Sequence, residues 1–248
     1  MAPKITGVIP ARYASARFPG KPLALIRGVP MVVRVYRRAL DSGIFDSLIV
    51  ATDDQRISSL CRDHAIPVCM TRADHASGSD RVWEAASGGD YVDADIIVNI
   101  QGDEPLLDPA VLRLLAEPLR DLDAGSIAAS SVYAPLTDPA DYSNPNVVKL
   151  VIAADGRALY FSRAPIPYVR TGIPETVFRH IGLYAYTRPA LERFVRLPVS
   201  PLEKIEGLEQ LRLLENGIPI FMRQAAGITH GVDTPDDLAR IEALLGET

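Results

Sequence analysis

The sequence predicts an α/β fold, with a mostly parallel central sheet and a smaller mixed α/β segment after it. The first observation is a set of short apolar runs that fit buried strands, at residues 5–9, 47–51, 67–70 and 96–100. The second is that helical patterns separate these runs, and alternating strands and helices of this length form right-handed βαβ units. The third is a polar loop directly after the first run, at the place where open α/β sheets bind ligands.

The helices of the first half have recognisable ends. Residues 30–40 are predicted to be helical, because Pro30 suits a first helical turn and Gly43 follows the last apolar position. A second helix is predicted to start at residues 52–54, and a third to cover about residues 81–86. These helices connect the predicted strands into one sheet with parallel order.

After about residue 125 the pattern changes to shorter alternating strands. The predicted strands lie at residues 126–135, 147–153, 158–163, 179–186 and 218–222. The predicted helices lie at residues 189–196, 201–215 and 235–245, and a proline-rich loop is predicted at 165–174. We therefore expect a core at residues 1–125, a mixed segment at 126–230 and a C-terminal segment at 231–248 that returns to the core.

The composition is that of an ordinary soluble globular protein. The chain has 248 residues, of which 48% are hydrophobic and 23% charged, with a net charge of −5. Mild acidity argues against a nucleic-acid partner, and no apolar run reaches the roughly 18 residues of a membrane span. Cys61 and Cys69 lack metal or redox spacing and fit a reducing compartment. We expect no membrane association and a cytoplasmic location.

The loop after the first predicted strand carries three cations, Arg12, Arg17 and Lys21, beside Ser15. Arginine is a bidentate donor and lysine a point charge for polyanions, so this loop is a candidate nucleoside-triphosphate site. A solvated basic loop would have the same composition, and the residues alone leave both interpretations open. The P-loop pattern is excluded, because Lys21 is followed by Pro22 instead of Ser or Thr.

Two aspartates are candidates for binding Mg²⁺. Asp103 comes directly after the fourth predicted strand, at the same sheet edge as the cationic loop. Magnesium prefers one or two carboxylates together with substrate phosphates, and Asp233 is the natural second carboxylate. Each residue has a plainer interpretation, since Asp103 could be a turn residue, and Asp233 or Thr234 could be the N-cap of the last helix.

Four sequence blocks, taken together, resemble the 3-deoxy-manno-octulosonate (Kdo) cytidylyltransferase family. They are residues 12–21, QGDEP at 101–105, YFSRAPIP at 160–167 and GVDTPDDL at 231–238. The resemblance runs in order from about residue 5 to about residue 240. It implies a Rossmann-like nucleotide-diphospho-sugar transferase fold, CTP and Kdo as substrates, Mg²⁺ held between Asp103 and Asp233, and a homodimer.

The resemblance also assigns roles to residues of the first half. It implies catalytic roles for Arg12, Lys21, Asp103 and Asp233. It implies that the nucleotide is bound by Pro10, Ala11, Arg12, Ser15, Arg17, Lys21, Thr71, Arg72, Ser77, Gly78, Gln101 and Asp103. Residues 71–81 are similar to the family pattern T-R-x-D-H-x-S-G-T-D-R, with Ser79 in place of Thr. Residues 77–80 also fit a helix-capping loop.

The acceptor-sugar residues implied by the resemblance are Arg163, His180, Tyr184, Glu209 and Gln210. A fixed arginine suits the carboxylate of an acidic sugar. His180 and Tyr184 are four apart in a strand pattern and should share a face. A lone histidine is more often structural, and Glu209 could instead form an exposed ion pair with Arg212.

The acceptor sugar is less specified by the sequence than the nucleotide. Residues 168–169 read Tyr-Val where the family pattern has Trp-Asp, and His230 stands where a small residue or proline is expected. The alternative within enzymes is CMP transfer to another acidic or amino sugar, such as an 8-amino Kdo analogue or a sialic acid. A non-catalytic nucleotide sensor or a structural oligomer is the alternative from another class.

Overall fold

The computed structural model describes residues 2–15, 17–75, 77–123, 125–171, 177–227 and 231–246. It divides the chain into two compact units, unit 1 (Met1–Arg113 and Thr229–Thr248) and unit 2 (Leu114–Ile228). The sequence placed the breaks after residues 125 and 230, whereas this division places them after 113 and 228. Residues 172–174 of the predicted proline-rich loop lie outside the described residues, and so does His230.

The strands, in chain order, are β1 (Ile5–Ala11), β2 (Leu25–Ile26), β3 (Val29–Pro30), β4 (Ser47–Thr52), β5 (Val68–Met70), β6 (Ile96–Asn99), β7 (Ala129–Pro135), β8 (Lys149–Ile152), β9 (Ala158–Ser162), β10 (Phe178–Thr187) and β11 (Ile220–Gln224). The helices are α1 (Met31–Leu40), α2 (Gln55–Asp63), α3 (Gly78–Ser87), α4 (Pro109–Arg120), α5 (Ala140–Ser143), α6 (Arg188–Arg196), α7 (Pro201–Glu206), α8 (Leu211–Glu215) and α9 (Pro235–Leu244). Short 3₁₀ turns cover Lys21–Leu23 and Gly89–Tyr91.

Unit 1 contains a parallel sheet in the order β6-β1-β4-β5. Its strands are the four predicted from apolar runs, and β1 at its centre is buried along nearly its whole length. Parallel strands buried on both faces lack polar alternation, which is why the runs were recognisable. The predicted α/β class is therefore confirmed, and the carboxyl ends of β1 and β6 lie side by side, with Val8 opposite Asn99.

The short hairpin of unit 1 was not predicted. The short antiparallel pair of β2 and β3 turns at Arg27 and Gly28, whose φ angles are 48° and 77°. Positive φ at both central residues is what a tight hairpin requires. Helix α4 was not predicted either; it begins in unit 1 and ends in unit 2, and Pro118 lies inside it. Helix α3 begins at Gly78, earlier than its predicted start near residue 81.

Unit 2 is a mixed segment, as predicted, built around β7. Strand β10 pairs antiparallel with β7, β11 pairs parallel with it, and β8 and β9 form an antiparallel hairpin beside β10. The prediction of one helix over 201–215 is wrong, because α7 ends at Glu206 and α8 begins only at Leu211. Gly207 has a φ of 61°, a left-handed conformation that ends a helix. In the described parts of the chain, no helix is long and apolar enough to cross a membrane.

Candidate active site

The cationic loop folds back at the carboxyl end of β1. The N–H of Gly20 donates to the carbonyl of Tyr13 at 2.9 Å, and Gly20 has a φ of 74° that few other residues adopt. Lys21 then begins a 3₁₀ turn, so its side chain is placed by backbone geometry. Arg12 lies directly after β1, and its buried Nη2 has no hydrogen-bond partner among the described residues. Such a group suits an anionic ligand.

The QGDEP turn after β6 packs closely against the end of β1. A Cβ atom on Gly102 would lie 2.7 Å from the carbonyl oxygen of Pro10, closer than side chains tolerate. Glycine is therefore required for this approach of backbone to backbone. The approach places the Asp103 carboxylate 2.7 Å from the Lys21 ammonium.

The C-terminal segment adds the second carboxylate. The N–H of Val232 donates to the carbonyl of Asp103 at 2.8 Å, and the Lys21 ammonium donates to the carbonyl of Val232 at 2.8 Å. Asp233 then lies 3.4 Å from Lys21 Nζ and 3.0 Å from Arg17 Nη2. Asp103 and Asp233 thus converge on one ammonium group, although they are far apart in sequence.

The helix-cap interpretation applies to Thr234 and not to Asp233. The Thr234 hydroxyl accepts from the N–H of Asp237, and the Asp237 carboxylate accepts in return from the N–H of Thr234, which makes a capping box for α9. Asp233 keeps its carboxylate for the cations. Its side chain is 47% exposed and that of Asp103 is 30% exposed, so both can reach a ligand from solvent.

The residues present fit a magnesium ion. The described residues contain no group of three or more His, Cys, Asp or Glu side chains arranged to hold a metal by themselves. Two converging carboxylates without soft ligands match a hard cation that takes its remaining ligands from phosphates and water. Asp103 and Asp233 are the residues that would hold it.

A cleft of about 260 Å³ opens beside these groups. It is lined by Pro10, Ala11, Arg12, Ala14, Ser15, Lys21, Pro22, Gly78, Gln101, Gly102 and Asp103. Eight of the predicted nucleotide residues are in this lining, whereas Arg17, Thr71, Arg72 and Ser77 are not. Gly102 was not singled out from the sequence, although a glycine inside a turn after a strand is a signal of close backbone approach.

The loop after β5 is held by side chains of helix α3. The Arg81 side chain is fully buried and donates to the Thr71 hydroxyl and, at 3.0 Å, to the Asp53 carboxylate. Ser77 forms a capping box with Asp80, so the predicted capping role of residues 77–80 is confirmed. Arg72 is exposed, and its N–H donates to the Glu84 carboxylate at 3.2 Å.

In unit 2, His180 and Tyr184 lie side by side with ring centroids 5.5 Å apart, although a register irregularity falls between Ile181 and Tyr184. Ser131 Oγ is 2.8 Å from His180 Nε2. Burial of the ring lowers the pKa of His180 to about 3, so the imidazole is neutral near pH 7. Burial, with smaller contributions from Tyr186 and the Glu209 carboxylate, raises the pKa of Tyr184 well above its usual value.

The other predicted acceptor residues have local partners. The Arg163 guanidinium donates to the carbonyls of Glu206 at 2.8 Å and Pro145 at 2.9 Å. Glu209 lies 3.8 Å from Arg212, so the predicted ion pair is present, but Arg212 and Gln210 are buried and the pair does not lie on an exposed helix face. Glu209 and Gln210 lie between α7 and α8, where the predicted continuous helix is interrupted.

A parallel α/β sheet with a cationic loop and two converging carboxylates at one edge fits a nucleotidyltransferase, and the comparisons with known proteins show that class. A solved nucleotidyl transferase from Methanothermobacter has the same fold, with a TM-score of 0.61 at 18% identity, covering 98% of each chain. A cytidylyltransferase family model matches residues 6–223.

More similar proteins identify the family. The 3-deoxy-manno-octulosonate cytidylyltransferase of Syntrophotalea carbinolica is 48% identical over 250 residues, covering 97% of this chain and 98% of that protein. The solved structure of a CMP:2-keto-3-deoxy-manno-octonic acid synthetase complexed with CTP has a TM-score of 0.92 at 41% identity, covering 98% of this chain and 99% of that one. This chain belongs to the 3-deoxy-manno-octulosonate cytidylyltransferase family.

Proposed function

We propose that this chain transfers CMP from CTP to Kdo, giving CMP-Kdo and diphosphate, with Mg²⁺ as its cofactor. The observation that carries the proposal is the convergence of Asp103, Asp233 and Lys21 beside the cleft at the end of β1, in a chain that belongs to this family. Its cellular role would be the activation of Kdo for lipopolysaccharide biosynthesis, performed in the cytoplasm by a homodimer.

The reaction is a direct displacement at phosphorus. The anomeric 2-hydroxyl of Kdo attacks the α-phosphorus of CTP in line, a sugar–phosphate bond forms, and the bond to the β-phosphate breaks so that diphosphate leaves. Such transfers depend mainly on positioning and on neutralising charge. Arg12, Arg17 and Lys21 supply this charge, since their donors lie at the cleft or beside its carboxylates.

Asp103 and Asp233 hold the metal site together with Lys21. When bound there, Mg²⁺ would polarise the α-phosphate and lower the pKa of the acceptor hydroxyl. The Lys21 ammonium, whose side chain is only 14% exposed, keeps the two carboxylates close to each other. Paired carboxylates without such a cation would repel each other.

On the acceptor side, the charge of each residue decides which group of the sugar it can bind. His180 is neutral because its pKa is about 3, so it can orient a sugar hydroxyl but cannot neutralise the Kdo carboxylate. The positive charge for that carboxylate is then assigned to Arg163, whose guanidinium is already fixed by backbone carbonyls. Tyr184, Glu209 and Gln210 complete the proposed sugar-binding set.

Acceptor competition tests this assignment. The enzyme is given CTP and Mg²⁺ with equal amounts of Kdo, an 8-amino Kdo analogue and a sialic acid, and the sugar nucleotides are quantified by mass spectrometry. The proposal predicts that CMP-Kdo dominates. Preferential formation of either other product would contradict the choice of acceptor while leaving the transfer of CMP intact.

A further inference from the structure

Helix α3 borders both the cleft and the loop after β5. Gly78, at its first turn, lines the cleft, while Arg81 and Glu84 follow at intervals of three residues. Residues three apart share a face of a helix. Gly78 and Glu84 lie about 120° apart around the helix, with Arg81 between them, so adjacent positions of α3 border the cleft and hold residues 71–75.

Arg81 fixes the start of this loop from within unit 1. Its side chain is 0% exposed, and its two terminal nitrogens donate separately to Thr71 and to Asp53. The N–H of Thr71 also donates to the carbonyl of Thr52 at 2.9 Å, so the backbone at Thr71 is held from two sides. A fully buried guanidinium is destabilising unless it is paired, so the bonds from Arg81 to Thr71 and Asp53 are needed for the folded structure.

Glu84 fixes the middle of the loop. Its carboxylate accepts the N–H of Arg72, and it forms a short contact with the imidazole of His75, which is itself buried. Burial alone would raise the pKa of Glu84, but the hydrogen bonds from His75 and from the Arg72 backbone outweigh it and lower the pKa. The carboxylate therefore accepts as an anion near pH 7, which strengthens both bonds.

We infer that Arg81 and Glu84 are positioning residues that set the geometry with which residues 71–75 meet the nucleotide base. The inference rests on the proposed function and on the family resemblance, which implies that Thr71 and Arg72 bind the nucleotide. A base is distinguished by hydrogen-bonding groups held in fixed positions, and a wrong base leaves those groups unpaired. Neither Arg81 nor Glu84 lines the cleft, so they act through the loop that they hold.

The test compares Arg81→Met, Arg81→Lys, Glu84→Gln and Glu84→Ala with wild type, using kinetics with CTP and UTP together with thermal unfolding. For Arg81→Met we expect KM for CTP to rise about tenfold and the CTP/UTP ratio of kcat/KM to fall by about tenfold. We expect kcat with CTP to stay within about threefold and KM for Kdo to stay unchanged. Arg81→Lys and Glu84→Gln each keep part of the hydrogen bonding, so their CTP/UTP ratios should lie between those of wild type and Arg81→Met. The ratio should fall further in Glu84→Ala than in Glu84→Gln.

Arg113→Met is the control for the loss of an arginine, because Arg113 is exposed and donates to the carbonyl of Ser42, away from the loop. It should leave the CTP/UTP ratio unchanged. If Arg81→Met does not fold, Arg81→Lys and Glu84→Gln decide the matter. A lowered melting temperature with an unchanged CTP/UTP ratio in these variants would overturn the inference. A wild type without Kdo-dependent use of CTP would instead remove the proposed function and, with it, the inference.

Discussion

At the scale of single residues, Lys21 is where distant parts of unit 1 meet. Its ammonium contacts Asp103, the carbonyl of Val232 and Asp233, the last 212 residues away in sequence. The candidate residues could be predicted, because cations and carboxylates beside strand ends are visible in a sequence. The contacts between these residues could not be predicted, because a sequence does not show which residues distant along the chain lie close together in the fold.

The first prediction concerns Asp103→Asn. The side chain is partly exposed, and Lys21 keeps the Val232 carbonyl and Asp233 as partners, so the melting temperature should stay within about 2 °C. Turnover should fall by about a hundredfold or more, because the neutral amide holds Mg²⁺ poorly. Asp93→Asn, which changes an exposed aspartate paired with Lys4, is the control and should be fully active. Near-normal turnover of Asp103→Asn at saturating Mg²⁺ would exclude the metal role.

The second prediction concerns His180 and pH. Its pKa is about 3 in the folded protein and about 6.5 otherwise, so the unfolded chain binds more protons between these values. The stability contributed by neutral His180 is complete above pH 6.5 and is lost as the pH falls, by up to about 1.4 kcal/mol per pH unit. Denaturant unfolding of wild type and His180→Gln at several pH values below 6.5 measures this. Parallel stability curves for the two proteins would contradict it.

At the scale of elements, the site depends on how closely the QGDEP turn approaches β1. The strands could be predicted because buried parallel strands are continuous apolar runs. The break between α7 and α8 was missed because helical periodicity continues through Gly207, whose left-handed conformation is set by the fold. The bracing of residues 71–75 was also missed, since Arg81 and Asp53 are 28 residues apart and each resembles an ordinary surface charge in the sequence.

The third prediction concerns Gly102→Ala. The added methyl group would lie 2.7 Å from the Pro10 carbonyl oxygen, so the turn must move away from β1. We expect a loss of about 1–3 kcal/mol in the free energy of unfolding and a fall in turnover, because Asp103 moves with the turn. Gly227→Ala is the matched control, since no atom lies within 4 Å of its added Cβ. A Gly102→Ala variant with wild-type stability and turnover would show that the close approach is unimportant.

At the scale of the whole molecule, unit 1 is completed by the end of the chain. Val232 and Ile241 are buried, and the N–H of Arg27 donates to the Glu242 carboxylate at 2.8 Å. The C-terminal segment therefore stabilises unit 1 as well as supplying Asp233. A return of the chain to the core was expected from the sequence, but its packing against Asp103 and Arg27 depends on contacts across most of the chain length.

The fourth prediction separates these two contributions. A chain that ends at residue 230 should melt at least about 5 °C lower, because it loses the burial of Val232 and Ile241. It should also lose turnover. Asp233→Asn should melt within about 2 °C of wild type yet lose about a hundredfold in turnover. If Asp233→Asn were fully active, the segment would have only a structural role.

If unit 1 activates CTP for attack by Kdo, diphosphate release must depend on both substrates and on Mg²⁺. The most direct measurement is Mg²⁺-dependent diphosphate release by the purified protein, with and without Kdo, with CTP, UTP, GTP and ATP in parallel. We predict release that requires Kdo and Mg²⁺ and that strongly favours CTP. Release without Kdo, equal use of the four nucleotides, or no release with CTP and Kdo together would contradict the account.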